Sequence, residues 1–253
     1  MWWESVNIQK GCWYCWRLAG AEIAVRRMGK FLSSCCRPLS WDRRDLFCTG
    51  PVQEDTVFQA DLQTMVWDEA VLRAALRPCF AEMPFLINLR KLVLFPGGET
   101  TLELELPPEL LLIAENGTMV TFRPFELKKT WYGRNTMEGL LCSSLFAPDP
   151  AANPQDYTQA AVHCSLMIRN RTKTVVELDK VPLHTGELAI YEVNGKLQSD
   201  TPVIDVLGND FRMTAVRTEQ GNLLSPPKNK AGKSGAEGFI LQGTRIIKNI
   251  TGL

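Results

Sequence analysis

Residues 119–146 have the sequence MVTFRPFELKKTWYGRNTMEGLLCSSLF, in which two apolar runs flank a polar connection. Short apolar runs bounded by polar turn residues are typical of β-strands. The connection mixes basic and aromatic side chains, in the order Lys128, Lys129, Thr130, Trp131, Tyr132, Gly133 and Arg134. This stretch therefore predicts β-structure with an aromatic and basic surface at a strand end.

The same kind of patterning extends through the chain. Leu102, Leu104 and Leu106 alternate with threonine and glutamate, which predicts a half-buried strand. Turn residues recur about every eight to twelve positions between such runs, a spacing typical of β-sandwiches. We therefore predict a mainly β fold, an antiparallel β-sandwich or sandwiches.

Glycines mark the predicted turns. Asn116-Gly117 and Asn194-Gly195 follow apolar runs, and this dipeptide favours hairpin turns because both of its positions accept positive φ. Gly133 is expected at a turn for the same reason. Asn116, Gly117 and Gly133 are therefore assigned a structural role.

One or two short helices are expected beside the strands. Residues 68–76 are the best candidate, because Asp68 and Glu69 suit a helix N-terminus. Val71, Leu72 and Ala75 would lie on one face of that helix.

The composition excludes several classes of protein. Lys plus Arg equals Asp plus Glu, at 28 each, so the chain lacks the positive field of a nucleic-acid coat or a polybasic membrane binder. No apolar run reaches the roughly 18 residues of a membrane-spanning helix, and the first residues lack a basic signal region. We expect a soluble cytoplasmic protein without membrane insertion, whose eight cysteines are reduced.

Domain organisation is predicted from one proline-rich segment. Residues 148–155 hold three prolines, a composition typical of linkers and long loops. The segment predicts β domains at 1–147 and 156–253. The alternative is a single sandwich-like unit in which the segment is a long loop.

The cysteines form no convincing metal or redox motif. Cys12 and Cys15 match C-x-x-C, but they lie in a β-like run rather than at a helix N-terminus. Cys35 and Cys36 are adjacent, which is an awkward spacing for tetrahedral zinc. We predict neither a metal nor a cofactor, although zinc at Cys12, Cys15, Cys35 and Cys36 stays open as an alternative.

Other catalytic patterns are incomplete. Gly232-Lys233-Ser234 resembles the end of a phosphate-binding loop, but the first glycine of that motif is replaced by Pro227. Glu103 and Glu105 share one face of a strand, as solvated side chains commonly do. Only two histidines, His163 and His184, are available for acid–base catalysis.

The sequence also resembles a known family. LKKTWYG (127–133) followed by EGLLCSSL (138–145) is similar to the pattern T-W-[FY]-G and G-x-L-C-x-[AS]-L of the domain of unknown function 432 family. Looser similarities cover most of the chain. The chain differs at Ser143 and Ser144, where an aromatic residue often follows the cysteine. The resemblance implies an archaeal or bacterial protein without an established activity, and an accessory role beside small mechanosensitive channels in osmotic physiology.

These patterns favour a non-catalytic binding or accessory module over an enzyme. Cations beside aromatic planes can bind sugars, bases, phosphates or protein groups. The predicted binding residues for an unknown protein or small-molecule partner are Lys128, Lys129, Trp131, Tyr132 and Arg134. The alternatives are a hydrolase that uses His184 or His163, and a zinc-stabilised structural protein.

Overall fold

A computed structural model shows a chain built almost entirely from β-strands. The structure describes residues 1–18, 21–38, 48–52, 62–66, 72–115, 117, 119–125, 127–133, 139–147, 160–208, 210–218, 221–228 and 239–241. Within these residues, the helical content is a 3-10 turn at Thr185–Glu187. The predicted class, mainly β with antiparallel sheets, is confirmed.

The strands are numbered in chain order. The first half contains β1 (Ser5–Ile8), β2 (Trp13–Leu18), β3 (Ala21–Met28), β4 (Phe31–Pro38), β5 (Cys48–Val52), β6 (Gln63–Val66), β7 (Leu72–Cys79), β8 (Phe85–Leu94), β9 (Glu99–Leu106), β10 (Glu109–Ala114) and β11 (Met119–Phe122). The second half contains β12 (Lys129–Tyr132), β13 (Leu140–Phe146), β14 (Val162–Asn170), β15 (Val176–Leu183), β16 (Ile190–Val193), β17 (Lys196–Ser199), β18 (Thr201–Val206), β19 (Phe211–Val216), β20 (Asn222–Ser225) and β21 (Phe239–Leu241).

The chain divides into two compact units, each built from separate segments. The first unit comprises Met1–Cys79, Pro107–Glu126 and Thr158–Ala160. The second comprises Phe80–Leu106, Leu127–Tyr157 and Ala161–Leu253. The proline-rich segment 148–155 lies outside the described residues, so a domain boundary at that segment stays a prediction.

The first unit holds two sheets. One has the order β5-β2-β3-β4-β6, and the other has the order β1-β7-β10-β11. All their strand pairs are antiparallel. Trp16, Ile23 and Leu32 are fully buried, which shows that the first sheet supplies much of the core of this unit.

The second unit also holds two sheets. A four-stranded sheet has the order β12-β13-β8-β15, and an eight-stranded sheet has the order β20-β16-β17-β14-β18-β19-β21 with β9 on the other side of β14. Along β14 buried and half-buried residues alternate without interruption. One face of β14 therefore points into the core, as the period of two in a strand requires.

The predicted helix at 68–76 is wrong. Residues 68–71 lie outside the described residues, and Leu72 begins β7, which pairs with both β1 and β10. Alanine and leucine favour helices in isolation, but hydrogen bonding to two neighbouring strands outweighs that weak preference. Pro78 in the same strand would also end a helix.

The predicted turn at Asn194-Gly195 is confirmed. Asn194 has φ 51° and Gly195 has φ 78°, as a two-residue type I′ turn requires. Val193 pairs directly with Lys196 across this turn. The turn therefore sets the register of the β16–β17 hairpin.

The turn near Asn116-Gly117 differs from the predicted two-residue turn. β10 and β11 pair as expected, but Ile113 faces Met119, so the loop between them is longer. The Gly117 amide donates to the Ala114 carbonyl at 2.9 Å, and Gly117 has φ 82°. Asn116 lies outside the described residues. Gly117 thus closes a longer hairpin loop in the left-handed conformation.

A buried asparagine joins the two sheets of the second unit. Asn170, at the end of β14, is 0% exposed. Its side-chain amide donates to the carbonyls of Leu94 (3.0 Å) and Phe95 (3.1 Å), where β8 ends, and of Thr174 (2.8 Å). Its side-chain oxygen accepts hydrogen bonds from the backbone amide and the hydroxyl of Thr172, at 2.9 and 2.7 Å. The whole hydrogen-bonding capacity of the side chain is used.

The backbone of Asn170 holds the turn that joins β8 to β9. The Asn170 amide donates to the Gly98 carbonyl at 2.9 Å, and the Gly97 amide donates to the Asn170 carbonyl at 3.0 Å. Gly97 has φ 72° and follows Pro96, the arrangement of a type II turn. The turn at Pro96-Gly97-Gly98 is therefore anchored to the end of β14.

We predict that Asn170→Ala destabilises the second unit by about 3 kcal/mol, because several buried backbone groups lose their partners. Urea unfolding followed by circular dichroism measures the change. Asn222→Ala is the control, since the Asn222 side chain makes an exposed hydrogen bond to Glu192, and we expect a change within about 0.5 kcal/mol. Equal effects of the two substitutions would contradict the anchoring role of Asn170.

Candidate functional site

The predicted aromatic and basic surface lies on an edge strand of the second unit. β12 pairs with β13 in antiparallel register, with Trp131 opposite Leu141 and Tyr132 opposite Leu140. No other described strand pairs with the second side of β12. β12 therefore presents one open edge within the part of the chain that the structure describes.

Trp131 and Tyr132 point to opposite faces of the sheet. The Trp131 side chain is 52% exposed, whereas that of Tyr132 is 7% exposed. Burial raises the pKa of Tyr132 to about 12, and the neighbouring Cys142 adds to this rise. Tyr132 is thus a core residue, and Trp131 is the aromatic side chain available to a partner.

The cysteine that follows the aromatic motif belongs to the core. Cys142 lies opposite Thr130 in β13 and is fully buried. Burial raises the pKa of its thiol to about 11, so the reactive thiolate is scarce at neutral pH. Cys142 has a packing role beside Tyr132.

The backbone amide and carbonyl groups of β12 also alternate, pointing towards β13 at one residue and away from it at the next. The Ser144 amide donates to the Lys128 carbonyl at 2.8 Å, which makes Lys128 and Ser144 a hydrogen-bonded pair. In an antiparallel ladder such pairs alternate with pairs that are not hydrogen-bonded. The amide and carbonyl groups of Lys129 and Trp131 therefore point away from β13, towards the open edge.

The geometry of β13 agrees with this alternation. Ser143, the residue opposite Lys129, donates its amide to the Pro84 carbonyl at 2.9 Å rather than to β12. The exposed side chains and the outward-pointing peptide groups of β12 thus come from the same two residues, Lys129 and Trp131.

Two predicted cations lie beside Trp131. Lys128 and Lys129 are both exposed. Neither forms an ion pair with an acidic residue that the structure describes. Gly133 ends the strand with φ 144°. Arg134, the third predicted cation, lies outside the described residues.

The histidines occupy two different settings. His163 Nε2 lies 3.0 Å from Glu103 Oε2, and the Ser165 hydroxyl donates to the same oxygen at 2.7 Å. Glu105 lies opposite His163 on β9. His184 precedes the 3-10 turn, and burial lowers its pKa.

The cysteines of the first unit are separated by the sheet. Cys15 and Cys35 both face Ala24 in the central strand β3. Two strand spacings place their Cα atoms about 10 Å apart, which is too far for a disulfide. Cys12 is exposed whereas Cys15 is buried. Within the described residues, no group of three or more His, Cys, Asp or Glu side chains could hold a metal ion.

The first unit contains a buried charge network that the sequence patterns did not identify. Glu22 is 1% exposed and lies between Arg17 and Arg37 on the neighbouring strands. The Glu22 carboxylate accepts hydrogen bonds from Arg17 (2.6 Å), from Arg37 and from the Cys15 thiol (3.4 Å). Burial alone raises the Glu22 pKa, but the two guanidinium groups outweigh it, so the net shift is downward.

A sequence signal for this network exists. Arg17, Glu22 and Arg37 lie on β2, β3 and β4, which follow one another in the chain, and the pairing of these strands brings the opposite charges together. The sequence gives less indication that Asn170 is buried, because Asn-Arg-Thr is typical of a surface turn.

The family comparison supports the similarity seen in the motifs. A family model described as a protein of unknown function, DUF432, matches residues 2–238. The chain belongs to the DUF432 family. The matched residues extend over both compact units as far as residue 238, and they include the whole of β12 and β13.

Other comparisons returned nothing. No curated protein and no solved structure matches the chain. In the part of the chain that the structure describes, no helix has the length and apolar character needed to cross a membrane.

We predict that the two neighbouring aromatic residues differ sharply in their contribution to stability. Tyr132→Ala should cost about 3 kcal/mol or more because it empties a buried site, whereas Trp131→Ala should cost less than about 1 kcal/mol. Urea unfolding of both variants measures the difference. A larger loss for Trp131→Ala would place Trp131 in the core and contradict its assignment to the surface.

Proposed function

We propose that this DUF432 chain is a non-catalytic binding module that holds a partner at the open edge of β12. The observation that carries the proposal is the 52% exposed Trp131 between Lys129 and Gly133 on that edge. A half-exposed tryptophan offers a large apolar surface with few rotatable bonds. Residues of this type dominate the binding energy of many interfaces.

The neighbouring charges support the same interpretation. Lys128 and Lys129 are both exposed and add positive charge to the strand edge that carries Trp131. Positive charge of this kind speeds and orients the approach of an acidic partner. Arg134, which follows Gly133 in the sequence, also belongs to the proposed set of binding residues.

The cellular setting is part of the proposal. Cys15 and Cys35 are separated by β3 and cannot form a disulfide with each other, which suits a reducing compartment such as the cytoplasm. The accessory role that the family resemblance implies makes a segment of a membrane channel one partner worth testing.

We predict that a ligand selected against the wild-type protein loses affinity when Trp131 is truncated. Ten-residue peptides displayed on phage and a small-molecule fragment collection provide the probes. Trp131→Ala should weaken the selected ligands by at least about tenfold, because the indole surface is lost. Isothermal titration calorimetry measures the affinities.

The matched control is another exposed aromatic residue of the same sheet. Phe146, at the end of β13, is 79% exposed, and Phe146→Ala should leave the affinity unchanged. Equal binding by wild type and Trp131→Ala, or a selection that yields no ligand, would contradict the proposal.

A second candidate function is hydrolysis at His163. The specific observation is the carboxylate oxygen of Glu103, which contacts both the His163 imidazole and the Ser165 hydroxyl. In a Ser-His-acid triad, however, the histidine lies between the hydroxyl and the carboxylate. Here the carboxylate lies between the other two, so His163 is not placed to take the proton of Ser165.

We therefore expect no hydrolysis of p-nitrophenyl acetate, bis-p-nitrophenyl phosphate or a p-nitrophenyl glucoside above the buffer rate. Absorbance at the nitrophenolate band measures turnover. Glu103→Gln tests any activity that is found, and Glu99→Gln on the same strand is the control. A loss of about 100-fold in Glu103→Gln alone would establish general base catalysis and favour the enzyme.

A further inference from the structure

The open edge of β12 has the backbone geometry of a strand acceptor. As described above, the peptide groups of Lys129 and Trp131 point away from β13, whereas those of Thr130 point towards it. The two outward residues are two positions apart, which is the repeat at which a paired strand exchanges hydrogen bonds. The edge therefore offers a complete pattern of donors and acceptors to one more strand.

One strand added at this edge would contact both the side chains and the peptide groups of β12. Trp131 and Lys129 project from one face of β12, opposite Thr130 and Tyr132. A strand laid beside β12 would place its own alternate side chains next to the indole and the ammonium group. Main-chain hydrogen bonds would supply affinity, and these two side chains would supply specificity.

The charge of the edge decides between possible occupants. A second copy of β12 offers no carboxylate to Lys128 and Lys129, and parallel, in-register pairing would place the lysines of the two copies opposite each other, which is unfavourable. Lysines on an edge strand are a common protection against such self-association. An acidic strand instead gains favourable contacts with Lys128 and Lys129.

We propose that the partner of β12 is an extended acidic peptide segment, which adds to the four-stranded sheet as a fifth strand next to β12. This inference rests on the proposed function, since it assigns a binding mode and a ligand class to the same surface. The segment carries carboxylates opposite Lys128 and Lys129 and an apolar residue against the Trp131 ring. Its backbone bonds to the amide and carbonyl groups of Lys129 and Trp131.

Proline substitution tests the backbone contact on the protein side. The Lys129 amide points to the open edge, so Lys129→Pro removes an outward donor and leaves the ladder to β13 intact. We expect Lys129→Pro to keep the thermal midpoint of Lys129→Ala while binding the selected peptides at least about tenfold more weakly than Lys129→Ala. Thr130→Pro is the control for the inward direction, and it should lower the thermal midpoint because the Thr130 amide bonds to Cys142.

Backbone methylation tests the contact on the peptide side. The probes are acidic ten-residue peptides selected on phage against the wild-type protein. Each peptide is synthesised in two N-methylated forms. One form carries the methyl groups on the odd-numbered residues and the other on the even-numbered residues. One of the two forms should lose at least about tenfold in affinity because its methyl groups face β12, and the other form should retain affinity. Amide hydrogen exchange should slow at Lys129 and Trp131 when the peptide saturates the protein, with little change at Thr130.

The outcomes separate the two proposals. Peptides that need Trp131 but retain affinity in both methylated forms would support the binding surface and overturn strand addition. Two results would overturn the proposal that the ligand is acidic. One is a set of selected peptides without acidic residues, and the other is an unchanged peptide affinity in the double variant Lys128→Glu/Lys129→Glu. Lys196→Glu, in the β16–β17 hairpin, is the matched charge control. A selection without any Trp131-dependent peptide would overturn both proposals.

Discussion

The second unit depends on the hydrogen bonds of one buried amide. Asn170 ends the central strand of the eight-stranded sheet, and its side chain binds the carbonyls at the end of β8 in the four-stranded sheet. Since a buried carbonyl without a partner is costly, the asparagine stabilises the contact between the two sheets at this point. The type II turn at Pro96-Gly97 is held by the backbone of the same residue.

This anchor extends by strand pairing to the proposed binding edge. β8 pairs with β13, and β13 pairs with β12, so the position of Trp131 follows from the position of β8. Asn88 in β8 reinforces the first step, because its amide donates to the Ser144 hydroxyl at 2.9 Å and to the Leu145 carbonyl at 3.0 Å. A binding residue on a sheet edge supported in this way is more rigid than one on a loop, which lowers the entropy cost of binding.

The first unit uses a charged anchor in place of an amide. Glu22 is buried between two arginines whose guanidinium groups reach the surface. An ion pair of this kind contributes little net stability, because desolvation of the carboxylate offsets most of the attraction. Its main effect is on register, since a shift of β3 by one residue would leave a buried carboxylate without a partner.

The sequence by itself determined the class of fold, several turns and the family. The alternation of Leu102, Leu104 and Leu106, the turn at Asn194-Gly195 and the motif around Trp131 are local patterns, and local patterns are visible along the chain. The sequence pattern placed Trp131 and Tyr132 together in one predicted binding surface, although neighbouring strand residues face opposite sides of a sheet. It did not indicate which of the two would be buried.

Only the tertiary structure decided that choice, because burial depends on where the sheet packs and not on the order of residues within the strand. Residues 72–76 had the composition of a helix, yet pairing with β1 and β10 made them a strand. Asn170 and Glu22 are polar residues that local rules place at the surface, and partners distant in the chain made them buried anchors. The outward direction of the Lys129 and Trp131 peptide groups likewise required the register between β12 and β13, which forms only when the two strands pair.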